Sequence, residues 1–307
     1  MRNALWLFLL VIVHAAIAQD CTRTIPITVL NVSSNDPVVF QPTLLHASME
    51  GHPLVISRFE KITGRRILFL LDASGSMEKS KFVKDVLEAL LQQIPPGSSL
   101  AYGSFSDSVH LSDGFTTRQD EIRKALDQFQ ASEIKGKTAL FDALDQGLKL
   151  FQQPTPGDSI LLISDGGENH STVQKKQLEK ELHESGIRLF AIVPIHDMHI
   201  AIEEELGPRS LLEWTEKTGG SALMITDDDN RWSFKKSREQ MISSIRRFWL
   251  ETVGSGYLLT VQLPSDVKKP ARWKLHLDTS GDKHLKGLSV AYPEKLMPCS
   301  FTAAAVH

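Results

Sequence analysis

Five oxygen-bearing side chains in three separate stretches form the set that could do chemistry. In Asp72-Ala73-Ser74-Gly75-Ser76, one carboxylate and two hydroxyls fall at i, i+2 and i+4, just past the apolar run Ile67-Leu68-Phe69-Leu70-Leu71. On a tight loop these three side chains converge on one point, with Gly75 allowing the turn. Thr138 follows the turn-like Lys135-Gly136-Lys137 and opens a predicted helix, while Asp165 follows the run Ile160 to Ile163 and precedes Gly166-Gly167. Two carboxylates and three hydroxyls make a hard, all-oxygen donor set. It suits Mg²⁺, or Mn²⁺ as a substitute, and offers nothing to a softer metal.

Such a set needs elements that deliver it to one place. Residues 66 to about 253 alternate short apolar runs with amphipathic stretches, the pattern of repeated strand–helix units. The runs Ile67 to Leu71, Ile160 to Ile163 and Leu189 to Val193 are apolar without alternation, which suits central parallel strands covered on both faces. Ala101 to Phe105 and Ala222 to Ile225 are weaker strand candidates. Helices are expected over Lys81 to Gln93, Ala139 to Phe151, Val173 to Ser185, Leu211 to Thr218 and Ser237 to Leu250. The fold class is therefore α/β, a doubly wound and mostly parallel sheet. In that architecture the carboxyl ends of the strands line the ligand crevice, where Asp72 and Asp165 both fall.

The flanks differ. Ile25 to Val29, Val38-Val39-Phe40, Leu258 to Leu263, Trp273 to Leu277 and Leu288 to Tyr292 are β-formers without helical periodicity. They are expected to pair into one small β-module made from both ends of the chain. The expected organisation is a signal peptide at 1–18, a β segment at 19–63, the α/β domain at 64–253 and a second β segment at 254–307.

A formal net charge of −3 leaves no basic excess for neutralising phosphates, which argues against a nucleic-acid partner. Arg2, the apolar stretch Leu5 to Val13 and the small-x-small Ala16-Ile17-Ala18 read as a signal peptide cleaved near Ala18, with an uncleaved anchor as the alternative. No later stretch is long and apolar enough for a membrane span. The protein is therefore expected to be secreted or periplasmic. Its two cysteines, Cys21 and Cys299, are a disulfide candidate in an oxidising compartment, against two separate thiols. A bridge closing nearly the whole chain would stabilise by roughly 4–5 kcal/mol in the loop-entropy account.

Asp-x-Ser-x-Ser after the first strand, a threonine opening a middle helix and Ser164-Asp165-Gly166 after a later strand occur here in order. Together they resemble the metal-ion-dependent adhesion site of the von Willebrand factor A (vWA) family, over residues 64–253. The flanks resemble more loosely those of bacterial, especially acidobacterial, exported proteins with such a domain. The resemblance implies that Ser74 and Ser76 bind Mg²⁺ directly, Thr138 directly or through water, and Asp72 and Asp165 mostly through water. It further implies a vacancy filled by an Asp or Glu of a protein partner, hence binding rather than catalysis. Lys137 departs from the pattern, since many members carry glycine there. In some A-type domains the last helix shifts on ligand binding, and Ser237 to Leu250 here leads straight into the C-terminal β segment.

Other stretches are weaker. His196 and His199 lack a clear third ligand and are expected to shape the rim of the binding face. Asp227-Asp228-Asp229-Asn230 lacks the following glycine and distal glutamate of a calcium loop. Glu203-Glu204-Glu205 reads as an exposed charged stretch, and Trp214, Phe248 and Trp249 as packing residues. Asn31-Val32-Ser33 and Asn169-His170-Ser171 match the glycosylation pattern, which matters only in a eukaryotic secretory pathway. The leading reading is an extracytoplasmic Mg²⁺-dependent protein-binding module. The alternatives are an assembly subunit with a mainly stabilising metal site and a metal-assisted hydrolase.

Overall fold

The computed structural model describes residues 21–31, 41–79, 83–131, 135–195, 202–226, 235–264, 266–281, 285 and 287–299. The predicted signal peptide, Val38 to Phe40, His196, His199 and Asp227 to Asn230 lie outside the described residues. The N-terminal flank supplies β1 (Cys21–Asn31), β2 (Leu45–Met49), β3 (His52–Leu54) and β4 (Ile56–Lys61). The α/β part runs β5 (Arg66–Asp72), α1 (Val83–Leu91), β6 (Ser99–Phe105), β7 (Val109–Leu111), α2 (Gln119–Ala131), α3 (Leu140–Leu150) and β8 (Ser159–Ile163). It continues with α4 (Lys175–Ser185), β9 (Arg188–Ile195), α5 (Ile202–Lys217), β10 (Ala222–Thr226) and α6 (Lys235–Glu251). The C-terminal flank adds β11 (Gly256–Leu263), β12 (Ala271–Leu277), β13 (Leu288–Ala291) and β14 (Lys295–Leu296).

The central sheet has the order β10-β9-β8-β5-β6-β7, parallel except for β7, which pairs antiparallel with β6. Its middle strands are apolar without alternation because both faces are covered. Ile67, Phe69 and Leu71 pack with Val86 and Leu90 of α1 and Ile245, Phe248 and Trp249 of α6. Leu68 and Leu70 face the opposite layer, with Leu144 and Leu148 of α3, Leu178 and Leu182 of α4 and Trp214 of α5. Phe69 and Trp249 stack at 5.7 Å between ring centres, and the Trp249 indole N–H donates to Gln93 O at 2.9 Å.

Two further sheets, β13-β1-β11-β4 and β14-β12-β2-β3, come from the flanks. β1 pairs antiparallel with β11, from Cys21 opposite Leu263 to Thr28 opposite Gly256, and β2 pairs with β12. Their inner faces share one core that contains Ile25, Ile27, Leu259 and Val261 with Leu45, Ala47, Trp273 and Leu275. This is the β-module, and each of its sheets mixes strands from both ends of the chain. Cys21 and Cys299 are bonded, with Cα atoms 5.8 Å apart. Among the described residues no helix is long and apolar enough to cross a membrane.

Some elements differ from expectation. The helix expected at Leu211 to Thr218 is the second half of a helix that begins at Ile202 and contains Pro208. Gly207-Pro208 is a pair that normally ends a helix, and apolar periodicity starts only after it. The stretch Glu203 to Glu205 is thus helical. Helix α2 was not expected, although Ile122, Ala125, Leu126 and Phe129 are spaced as one face of a helix. Gly186 ends α4 in the left-handed conformation, at φ 70°.

Reducing the Cys21–Cys299 bridge should lower unfolding stability by about 5 kcal/mol in the loop-entropy limit. Denaturant titration with and without reductant measures the difference.

Candidate metal centre

The strand order sets the position of the site. From β5 the chain passes to β6 on one side, whereas β8 leads to β9 and β10 on the other. The crossovers therefore part between β5 and β8, which leaves a crevice at the carboxyl ends of these neighbours. Asp72 is the last residue of β5, and Asp165 stands two residues beyond β8.

Asp72 is almost fully buried, at 1% exposure. Its Oδ1 accepts from the Ser74 N–H at 2.9 Å, and its Oδ2 accepts from the Ser164 hydroxyl at 2.6 Å. Burial pushes the carboxyl up to about 7, the negative charge of Asp165 adds to the rise, and the hydrogen bonds from Ser164 and Ser74 oppose it. Beyond Asp72 the chain tightens into a 3-10 turn over Gly75–Lys79, pinned by the fully buried Met77. The turn sets the Ser74 and Ser76 hydroxyls 3.1 Å apart. Ser74 is buried and Ser76 is exposed, so the cluster opens to solvent on the Ser76 side.

Thr138 reaches the cluster through backbone bonds between loops. Lys135 N–H donates to Ala73 O at 3.0 Å and Gly75 N–H to Gly136 O at 3.2 Å. Ala73 N–H donates to Phe105 O, and Ala139 N–H to Ser106 O. An ideal Cβ at Gly167 would stand 3.2 Å from Asp165 Oδ1 and 3.8 Å from Thr138 Oγ1, so these two oxygens face one point beside that glycine. Asp165 Oδ1 also accepts from Gly167 N–H at 2.9 Å. The structure thus brings Asp72, Ser74 and Ser76 together, and Thr138 with Asp165, around the same crevice.

Several positioning residues were not singled out from sequence. Asn169 Oδ1 accepts from Thr138 N–H at 2.9 Å, while the N–H groups of Asn169 and His170 donate to Thr138 O. Ala139, the N-cap of α3, makes no side-chain cap bond. Glu168 Oε2 and Ser171 Oγ take over that role, accepting from Phe141 N–H at 2.9 and 3.0 Å. The loop after β8 therefore carries Asp165 and also fixes Thr138. The same loop packs against α5 at Gly166 and Gly207, where a Cβ on either residue would fall 2.5 Å from the other's backbone. Asp107 accepts from Lys137 N–H, so the departure at Lys137 leaves its backbone held and its side chain exposed at the rim.

Among the described residues no three or more His, Cys, Asp and Glu side chains cluster. The set here reaches five donors because three are hydroxyls, a composition that fits a hard cation and excludes a soft one. The raised Asp72 carboxyl fits the same group, since a cation would relieve two carboxylates that oppose each other in a desolvated crevice.

The sign of the Asp72 shift sets a pH dependence for the metal-free protein. Between the ordinary aspartate value and about 7, folded Asp72 holds a proton that the unfolded chain releases. Stability therefore falls as pH rises through that window and levels off above it. Asp72→Asn should remove this slope, melting several degrees above wild type at pH 8 in chelator and close to it at pH 4. Melting curves across pH check this.

The model of the family described as VWA domain containing CoxE-like protein matches residues 40–208, more than half of the chain and a span within which Asp72, Ser74, Ser76, Thr138 and Asp165 fall. No curated protein matches the sequence. Among solved structures, the conserved hypothetical protein BatB from Bacteroides thetaiotaomicron is 17% identical, with TM-score 0.42, covering 59% of this chain and 98% of that one. An aerotolerance-related membrane protein from Bacteroides fragilis is also 17% identical, with TM-score 0.41, covering 59% and 100%. A von Willebrand factor type A protein from Catenulispora acidiphila is 11% identical, with TM-score 0.47, covering 91% and 73%. With its parallel sheet and the family match across the crevice residues, this chain belongs to the VWA domain containing CoxE-like family.

Proposed function

We propose that this protein is an exported binding module that holds Mg²⁺ at Asp72, Ser74, Ser76, Thr138 and Asp165 and captures an Asp or Glu side chain of a protein partner. The observation that carries the reading is the buried Asp72 carboxyl, pushed up to about 7 in the desolvated crevice and facing Asp165, with the Ser74 and Ser76 hydroxyls 3.1 Å apart beside it. Bound there, Mg²⁺ supplies a hard electrophilic centre for a carboxylate oxygen.

The chain's own residues do the remaining work. Ser74, Ser76 and Thr138 offer neutral oxygens, so positive charge persists at the mouth of the site. Asp72 is oriented by Ser74 and Ser164, which leaves little freedom to lose on binding. Ser76, on the exposed side, marks where a partner's carboxylate arrives, and the exposed Lys137 adds attraction for an acidic group. Export is supported by the N-terminal sequence pattern and by the Cys21–Cys299 bond, which persists in oxidising compartments.

Calorimetry should show saturable Mg²⁺ binding by the wild type and none by Ser74→Ala/Ser76→Ala. Wild-type capture of acidic partners should be lost in chelator. Hydrolytic activity abolished by Asp72→Ala would instead favour the metal-assisted enzyme. Asn169→Ala keeps all five ligands but releases Thr138, and should weaken Mg²⁺ affinity by roughly 10-fold. An unchanged affinity in that variant would show that Thr138 is held in place without Asn169.

A further inference from the structure

At the opposite edge of the central sheet lie two buried guanidinium groups that the metal face does not use. Arg188, the first residue of β9, is fully buried, and Arg65, just before β5, is 6% exposed. Every acceptor they meet is a neutral oxygen. Arg188 Nη1 donates to Thr28 Oγ1 at 2.7 Å, and Arg65 donates to Val253 O and, through Nη2 at 3.1 Å, to Ile62 O. Among the described residues neither forms an ion pair. Arg188 Nε and Nη2 and Arg65 Nε meet no acceptor among the described residues, and the buried hydroxyl of Ser159 has no hydrogen-bond partner among them.

These donors share one face. Arg188 pairs with Ser159 across β9 and β8, and Ser159 pairs with Ile67 of β5. Residues paired in parallel strands point the same way, and Arg65 lies two before Ile67, so all four residues face the same layer. The two cations lie near enough for Arg65 to push the Arg188 pKa down, with burial as the larger cause, to about 9, which leaves both charged at neutral pH. The nearest carboxylate in sequence, Asp158, points to the other face and is occupied by Arg66 Nε at 3.1 Å and Thr155 N–H at 2.7 Å. Phe190 offers Arg188 a ring 5.1 Å away, a weak substitute for a counter-charge.

Burying two like charges against neutral acceptors alone is among the most costly arrangements available to a fold. The groups left over are all donors and all on one side. We propose that a small monovalent anion of halide type binds between Arg65 and Arg188 and takes their unclaimed N–H groups together with the Ser159 hydroxyl. The full burial of Arg188 restricts it to a small ion, and Gly256 lies close against the guanidinium, where a Cβ would stand 2.7 Å from Ile62 Cδ1 and 3.1 Å from both Nη1 and Nη2 of Arg188. The anion lies at the seam of the molecule. Thr28 belongs to β1, Gly256 opens β11, and Ile62 and Val253 are the residues through which the chain enters and leaves the α/β part. It therefore locks the β-module to the floor of the central sheet.

The test is thermal unfolding of the full chain in sodium chloride against sodium gluconate at equal ionic strength. The expected result is a rise of several degrees in Tm that saturates with chloride, as a bound ligand requires, and that Arg188→Met abolishes. If Arg188→Met does not fold, Ser159→Ala should raise the half-saturating chloride concentration several-fold. Crystals soaked in bromide should show an anomalous peak beside Arg188 Nη2. Equal melting temperatures in the two salts, an unchanged chloride response in the variants, or no bromide beside Arg188 would each overturn the proposal.

Discussion

Asp72 is a carboxyl group held almost out of water where two neighbouring parallel strands send their chains in opposite directions. A charge there is costly, and the surrounding structure can be understood as what makes it tolerable. Ser74 N–H and the Ser164 hydroxyl take one oxygen each. Three loops close around the same point through backbone bonds, from Lys135 N–H to Ala73 O, from Gly75 N–H to Gly136 O and from Asn169 N–H to Thr138 O. Asp165 adds a second negative charge rather than relief, so two carboxylates oppose each other in one crevice.

The two ends of the central sheet carry opposite problems. At the carboxyl edge, Asp72 and Asp165 gather with hydroxyls, and among the described residues neither carboxylate forms an ion pair. At the amino edge, Arg65 and Arg188 gather without a carboxylate, under the seam with the β-module. Parallel sheets place strand beginnings and strand ends in separate layers, so the two sets cannot neutralise one another. That separation leaves unlike-charged groups at opposite ends of one sheet, carboxylates at one and guanidinium groups at the other.

The closeness of the loops depends on glycines at a few points. Gly166 adopts φ +85° and meets Gly207 of α5 with no room for a side chain on either residue. That contact joins the Asp165 loop to the α5 layer, while Glu168 and Ser171 join the same loop to the start of α3. One eight-residue stretch from Ser164 to Ser171 thus orders the second carboxylate, the threonine and two helices.

Much of this was legible in the chain. The unbroken apolar runs at Ile67 to Leu71, Ile160 to Ile163 and Leu189 to Val193 marked buried parallel strands, because a strand covered on both faces has no polar side to show. The proximity of Asp72, Ser74 and Ser76 was readable from spacing, since residues two apart on a short turn are neighbours whatever the rest does. The N-terminal half of α5 is interrupted by Gly207-Pro208 and the edge strand β7 is very short, so neither stands out in the pattern, whereas α2 does carry helical spacing at Ile122, Ala125, Leu126 and Phe129. Tertiary structure alone decided that Thr138 and Asp165 face one point, that Asn169 holds Thr138, and that Arg188 meets Thr28 from 160 residues away. Local pattern follows from neighbours along the chain and can be read there. Convergence of distant side chains follows from strand order and close packing, which no single segment contains.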